Sequence, residues 1–209
     1  MKVNEIFLSV QGESMSAGFP TIFVRFTGCN LRCSYCDTTY AYYEGTEMTP
    51  AEIMSEINKL HYKRVCITGG EPLLQEEINE LLDFLRSFSV SIETNGSVDV
   101  KKVTGYENLS LVVDMKAPSS GVSDSMLLKN IEALSQSDEV KFVIGNRNDY
   151  EWARSIVGSY PCRGVVTFSP VFKKVSYREV VEWILEDRLD VRFQIQLHKI
   201  IWDAEKRGV

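Results

Sequence analysis

Histidine is almost missing from this chain: His61 and His198 are the only two in 209 residues, and they are not spaced as a ligand pair. That removes the usual histidine-built metal centre from consideration. Positive charge is also in deficit, 23 Lys and Arg against 29 Asp and Glu, for a net charge of -6. A nucleic-acid partner normally needs a basic face, so nucleic acid is not expected as the main partner, although a local basic patch is compatible with the total. No run approaches the roughly 20 apolar residues that cross a bilayer, so no membrane association is expected. The opening stretch MKVNEIFLSVQGES lacks a long apolar core and a small-residue cleavage site. Together these absences point to the cytoplasm, where thiols stay reduced. An odd cysteine count, five, excludes a fully paired disulfide framework. There is no internal repeat and no low-complexity linker.

What is present fits an ordinary globular chain, 44% hydrophobic and 25% charged, long enough for one sizeable core and read as a single domain over 1–209. Apolar β-branched runs at 21–28, 64–68, 89–94, 109–115, 139–144, 164–168 and 191–197 read as strands. Helical patterns fall between them at 49–60, 72–88, about 124–136, 148–158 and 176–189. The first is the best marked: Thr49 is placed as N-cap, Pro50 at N1, and Glu52 completes a capping box. Alternating strands and helices imply parallel pairing with right-handed crossovers. Seven strands are too few for a closed eight-stranded barrel, so the expected fold is α/β, a partial (open) β/α barrel of about six to seven mostly parallel strands. An open doubly wound sheet has the same periodicity. Polar residues collect where the strands end: Thr68-Gly69-Gly70-Glu71, Glu93-Thr94-Asn95, Asp114 with Lys116, Ser169-Pro170, and His198-Lys199. In parallel α/β folds these ends share one face, where active sites lie.

Three of the five cysteines lie within GCNLRCSYC, as Cys29, Cys33 and Cys36. Structural zinc wants four ligands, and no second knuckle is visible. A ferredoxin-type carrier wants four cysteines per cluster. Cys66, mid-strand, reads as a buried structural thiol, and Cys162 lies far downstream in a loop. Three cysteines on a four-iron cluster leave one iron open to another ligand, which favours catalysis.

C-x3-C-x2-C with an aromatic residue before the last cysteine, Tyr35, resembles the radical S-adenosylmethionine (SAM) superfamily, and TGGEP (68–72) resembles its glycine-rich motif. The flanks NEIFLSVQGES, FVRFTGCNLRCSYCDT, ITGGEPLLQ, IETNGS, DMKAPSSG, FSPV and QLHKIIW, in this order, resemble the 7-carboxy-7-deazaguanine synthase family across almost the whole chain. The resemblance implies conversion of 6-carboxy-5,6,7,8-tetrahydropterin to 7-carboxy-7-deazaguanine with loss of ammonia, in the queuosine and deazapurine pathway. It implies a [4Fe-4S] cluster, SAM used catalytically, Mg2+, an electron donor of flavodoxin or ferredoxin type, and a homodimer. Carried over residue by residue, Cys29, Cys33 and Cys36 hold the cluster and Thr38 ligates Mg2+. Val10, Gln11, Gly12, Glu13, Arg25, Thr68, His198 and Val209 face substrate. Tyr35, Cys36, Asp37, Gly70, Glu93, Asn95, Lys116, Ser119 and Ser169 lie on the SAM side. Arg25, inside an apolar strand, needs a partner: a substrate carboxylate or a structural ion pair. The chain departs from the family pattern at Ser14, where glycine is common, and at Tyr35, where tryptophan is common. The rival readings are a glycyl-radical-enzyme activating protein and a non-catalytic iron-sulfur or zinc protein.

Overall fold

The computed structural model describes all 209 residues. One nine-stranded sheet runs through it in the order β3-β1-β2-β4-β5-β6-β7-β8-β9, open between β3 and β9. Seven strands are parallel: β2 (Pro20–Phe26), β4 (Arg64–Gly69), β5 (Ser89–Thr94), β6 (Leu109–Lys116), β7 (Glu139–Ile144), β8 (Val165–Pro170) and β9 (Arg192–Phe193). These are the seven the sequence predicts. Two more, β1 (Lys2–Val10) and β3 (Thr46–Glu47), pair antiparallel at one edge. They escape a pattern search because β1 mixes Asn4 and Glu5 into its apolar run and β3 has two residues.

The helices cover the convex face: α1 (Pro50–Lys59), α2 (Ile78–Phe84), α3 (Lys129–Ala133), α4 (Arg147–Ser159) and α5 (Tyr177–Glu186), with the short α6 (His198–Ile201) at the other face. The α1 capping box is formed: Glu52 N–H donates to the Thr49 hydroxyl at 3.3 Å, and Thr49 N–H donates to the Glu52 carboxylate at 2.8 Å. The helix expected over 72–88 is shorter. Pro72–Leu74 forms a single 3-10 turn, Gln75 is extended, and α2 begins at Ile78. Tertiary contacts break it: the Leu73 N–H goes to the buried Glu71 carboxylate, and the Lys102 ammonium takes the Leu73 and Gln75 carbonyls. The pattern at 124–136 yields only a 3-10 turn and α3. The strand expected to 197 ends at Phe193, because Leu197 N–H turns to the Gly12 carbonyl and the Gln194 side chain clasps the Ser14 backbone. His198 and Lys199 therefore open α6 rather than end a strand.

Strand alternation sorts the two faces. Ile22, Val24 and Phe26 on β2, Val65 and Ile67 on β4, and Val90 and Ile92 on β5 join the apolar core under the helices. Their alternates, Arg25, Thr68, Glu93, Asp114, Lys116 and Lys141, line the concave side. Closed β/α barrels fill that interior with bulky aliphatics; this one lines it with charge.

Candidate active site

The concave side encloses a cavity of about 820 Å³ at the C-terminal ends of the parallel strands. The cysteine loop forms one wall and is fixed by its backbone. Gly28 N–H donates to Ala41 O at 2.9 Å, and Glu71 N–H donates to Gly28 O at 2.8 Å. A Cβ on Gly70 would overlap the Gly28 carbonyl, and Gly69 has φ +132° against the Phe26 backbone. The two glycines of TGGEP are thus demanded by the approach of the cysteine loop itself. On the other flank, Ser34 N–H and hydroxyl donate to Ser120 O and Ser119 O at 2.9 and 2.7 Å. Ser119 is held in turn by the buried Asp149, whose carboxylate accepts its N–H at 2.8 Å.

Cys29, Cys33 and Cys36 are half-buried, unoxidised and line the cavity; Cys66 and Cys162 do not line it. Cys29 Sγ accepts from Leu31 N at 3.4 Å and from Asn95 Nδ2 at 3.6 Å. Burial pushes the Cys33 thiol up, and that of Cys66 much further. No three His, Cys, Asp or Glu side chains converge as a single-ion site. That geometry disfavours structural zinc, whose ligands all sit at about 2.3 Å or less from one point. It suits an iron-sulfur cluster, in which each thiolate binds a different iron and the sulfurs need not converge. Three thiols on one cavity-facing loop, with no fourth beside them, fit such a cluster with an open iron.

The opposite wall is a buried charge lattice. Lys141 Nζ bonds Glu13 at 2.6 Å and Asp114 at 2.9 Å, and Lys116 Nζ bonds Asp114 at 2.8 Å. Gln196 Nε2 donates to the other Glu13 oxygen at 2.6 Å. Burial opposes ionisation of Glu13, but the Lys141 ammonium, His198 and the hydrogen bonds from Lys141 and Gln196 together hold its carboxyl below the usual range. Asp114 is lowered likewise against burial by Lys116 and Lys141, and both lysines are held above their usual value by these carboxylates. Glu93 accepts from Gln11 Nε2 at 3.1 Å and from the Thr68 hydroxyl at 2.9 Å.

Of the two roles expected for Arg25, the structural ion pair is present. Its Nε donates to Glu5 at 2.7 Å, and Glu5 also accepts the Tyr40 hydroxyl at 2.9 Å. The remaining guanidinium nitrogens make no bond within the chain. Thr38 does not cap the turn it precedes. Its hydroxyl donates to Asp37 at 2.9 Å, which leaves its oxygen lone pairs free. Lys199 bonds the other Asp37 oxygen at 2.6 Å; partial desolvation opposes ionisation there, and the ammonium overrides it, holding the carboxyl well below its usual range. The His198 ring lies against Gly12, where a Cβ would overlap Nδ1. Burial lowers His198, so it is neutral at pH 7.

Of the sequence-predicted site residues, all but Ser119 line this cavity, including Val10, Tyr35, Ser169 and Val209. Ser119 lies behind the wall, positioning Ser34. Sequence reasoning missed Lys141, Gln196 and Glu5, which hold Glu13 and Arg25. Glu71, read from the sequence only as a strand-end polar residue, is a buried carboxyl raised by burial that accepts Thr94 Oγ1 and Asn95 N at 2.7 Å and ties TGGEP to IETNG. The one available signal was a charged residue inside an apolar run, as with Lys141 in EVKFVI.

Residues 23–185 match the radical SAM superfamily. Over 230 aligned residues the chain is 41% identical to the 7-carboxy-7-deazaguanine synthase of Koribacter versatilis, covering all of both chains. With that of Chlorobaculum tepidum it shares 43% over 216 residues, covering all of this chain and 97% of the relative. The chain belongs to the 7-carboxy-7-deazaguanine synthase family. It is therefore a radical SAM enzyme of the lyase class, and membership of this superfamily implies a [4Fe-4S] cluster and SAM. The crystal structure of QueE from Escherichia coli has the same fold, with a TM-score of 0.75 over 94% of each chain at 24% identity. The synthase family's cysteine loop and TGGEP motif thus coincide here with one wall of the cavity, and the readings as a non-catalytic metal protein or an activating enzyme fall away.

Proposed function

We propose that the chain converts 6-carboxy-5,6,7,8-tetrahydropterin to 7-carboxy-7-deazaguanine and ammonia, with Mg2+ required and SAM used catalytically. The observation that carries this is one cavity in which the three-thiol loop, with Thr38 beside it, faces a polar wall bearing Arg25 and Glu13. Substrate and products balance without net oxidation, as catalytic rather than consumed SAM requires. Bound to Cys29, Cys33 and Cys36, the cluster with SAM supplies a 5'-deoxyadenosyl radical.

The chain's own residues bind and orient. The free edge of the Arg25 guanidinium grips the substrate carboxylate bidentately. Glu13, fixed and ionised by Lys141 and Gln196, accepts from the pterin amino and ring N–H edge. Phe7 and Phe23, stacked at 5.0 Å on the cavity wall, give the flat ring an apolar surface. Thr38 offers Mg2+ one hard oxygen, and substrate and water fill the rest of its octahedron. His198, neutral, exchanges one hydrogen bond with substrate, while Val10, Gln11, Gly12, Thr68 and Val209 shape its pocket. Tyr35, Asp37, Gly70, Glu93, Asn95, Lys116 and Ser169 contact SAM. The whole chain acts as one domain, as a homodimer, in the cytoplasm, with a flavodoxin- or ferredoxin-type donor.

The test is anaerobic: reconstituted protein, reduced and given SAM, Mg2+ and 6-carboxytetrahydropterin, forms the deazaguanine without net SAM consumption. Stoichiometric 5'-deoxyadenosine without product overturns the assignment. Replacing Cys66 and Cys162 together by Ala leaves iron content and turnover in place; loss of iron means a closed site.

A further inference from the structure

The cavity mouth is basic in a chain that is acidic overall. Eight basic and five acidic side chains line the cavity and its rim, a local excess of three positive charges where the whole chain carries -6. The deep charges are spent on one another, as Lys141, Lys116 and Lys199 are on carboxylates. Among the outer ones Arg207 reaches Glu44 at 3.6 Å, but Lys173 and Lys174 are exposed and make no ion pair. Both belong to the β8–α5 turn, which Lys174 N–H to Val171 O closes at 3.0 Å. Lys173 holds φ +59°, a left-handed backbone that a lysine adopts only when its surroundings impose it.

These lysines stand beside the cysteine loop. Lys174 Nζ is 5.6 Å from the centre of the Tyr35 ring, between Cys33 and Cys36 in sequence. Within the loop itself, Arg32 donates to Cys29 O at 2.8 Å, stacks on Tyr42 at 4.1 Å and donates to the Tyr43 hydroxyl at 3.2 Å, without an acidic partner. Tyr43 is 72% exposed, although Arg32 lies over its ring at 5.7 Å. Exposed Arg and Tyr are the residues that anchor protein interfaces, and unpaired rim lysines are the ones that steer acidic partners.

We propose that this face, built from Arg32, Tyr43, Lys173 and Lys174, is the docking surface for an acidic protein that delivers single electrons to the cluster. The proposal rests on the radical SAM reading of the site, which requires a reductant. The step is one electron: a flavin hydroquinone on the partner gives up one of its two reducing electrons, and the cluster takes it and falls in charge from 2+ to 1+. A small anionic substrate does not account for the patch. Its carboxylate is met inside by Arg25, and a single charge gains little from rim lysines screened over a Debye length of about 8 Å. A partner with many carboxylates engages the whole face at once.

The experiment uses holoenzyme carrying Lys173→Glu and Lys174→Glu, with an acidic bacterial flavodoxin as probe. At about 10 mM salt, cluster reduction by the flavodoxin hydroquinone, followed by stopped-flow absorbance, slows at least about tenfold, and the gap closes near 0.5 M salt. Affinity for the oxidised flavodoxin falls in parallel, while photoreduced deazaflavin, which needs no docking, reduces both proteins equally. Tyr43→Ala weakens flavodoxin affinity at both salt concentrations, as an apolar anchor does. Equal flavodoxin rates and salt slopes in wild type and the lysine variant overturn the proposal. So does an equal slowing with deazaflavin, which places the lysines' effect on the cluster itself. Because reduction is read without the pterin, failure of the substrate assignment leaves this result standing, and the reverse also holds.

Discussion

The two walls of the cavity are held by opposite means. The cysteine wall is fixed through backbone: Gly28 against Ala41 and Glu71, Ser34 against Ser119 and Ser120, with glycines where chains touch. Its thiols are left almost unbonded. The facing wall is fixed through side chains, Glu13, Lys141, Asp114 and Lys116 each saturating its neighbour. A wall that must receive a large prosthetic group keeps its donor atoms free and puts its rigidity elsewhere. On the proposed reading, a wall that orients a polar ring has to fix the donor atoms themselves.

The largest expected effect tests whether the charge lattice stands alone. Lys141→Met leaves Glu13 and Asp114 buried without their shared cation and costs about 3–5 kcal/mol by chemical denaturation. The cysteine loop, tied by backbone, still takes up iron on reconstitution; early loss of iron binding would mean the walls are one unit. Gly70→Ala breaks the other side. The obstructing atom is the Gly28 carbonyl, which cannot swing away, so the loop shifts at a cost of about 1–3 kcal/mol and bound iron per chain drops sharply, with the lattice intact.

Acidification separates the walls by sign. Glu13 and Asp114 titrate below their unfolded values, so their contribution is complete above the unfolded carboxyl range of about pH 4 and is lost as pH falls through the folded values. Thermal melts of the wild type therefore fall steadily below about pH 4. In Lys141→Met the slope reverses between about pH 6 and pH 4, as the orphaned Glu13 carboxyl takes up a proton while Asp114 keeps Lys116. Gly12→Ala acts more gently, since the obstructing His198 is a side chain that can move. About 1 kcal/mol and a several-fold rise in KM, with kcat less affected, is expected. Smallest is Lys199→Ala: its Asp37 partner is 53% exposed, so the change in stability stays under about 1 kcal/mol.

The same contrast explains what could be read from the sequence. The cysteine wall is contiguous in the chain, so C-x3-C-x2-C, CDT and TGGEP announce it, as the capping box announces α1. The lattice joins Glu13 to Lys141, 128 residues apart, and Gln196 to Glu13, 183 apart. Lys141 in EVKFVI looks like the solvent-facing alternate of a strand until the sheet curls and places it inside. The helix expected over 72–88 shortens for a related reason: its amphipathic period is real, but Glu71 and Lys102 claim the backbone groups its first turns would have used.

The clasp between Gln194 and the Ser14 backbone, with Leu197 bonded to Gly12, has a consequence in time. During synthesis at about 5–20 residues per second, the VQGES stretch is made early and waits roughly ten seconds or more for the residues that shape it. The TGGEP clamp on the cysteine loop needs only a few dozen further residues. The thiol loop can therefore meet its TGGEP clamp while the side of the cavity formed by Gln11–Ser14 still lacks the residues that close it.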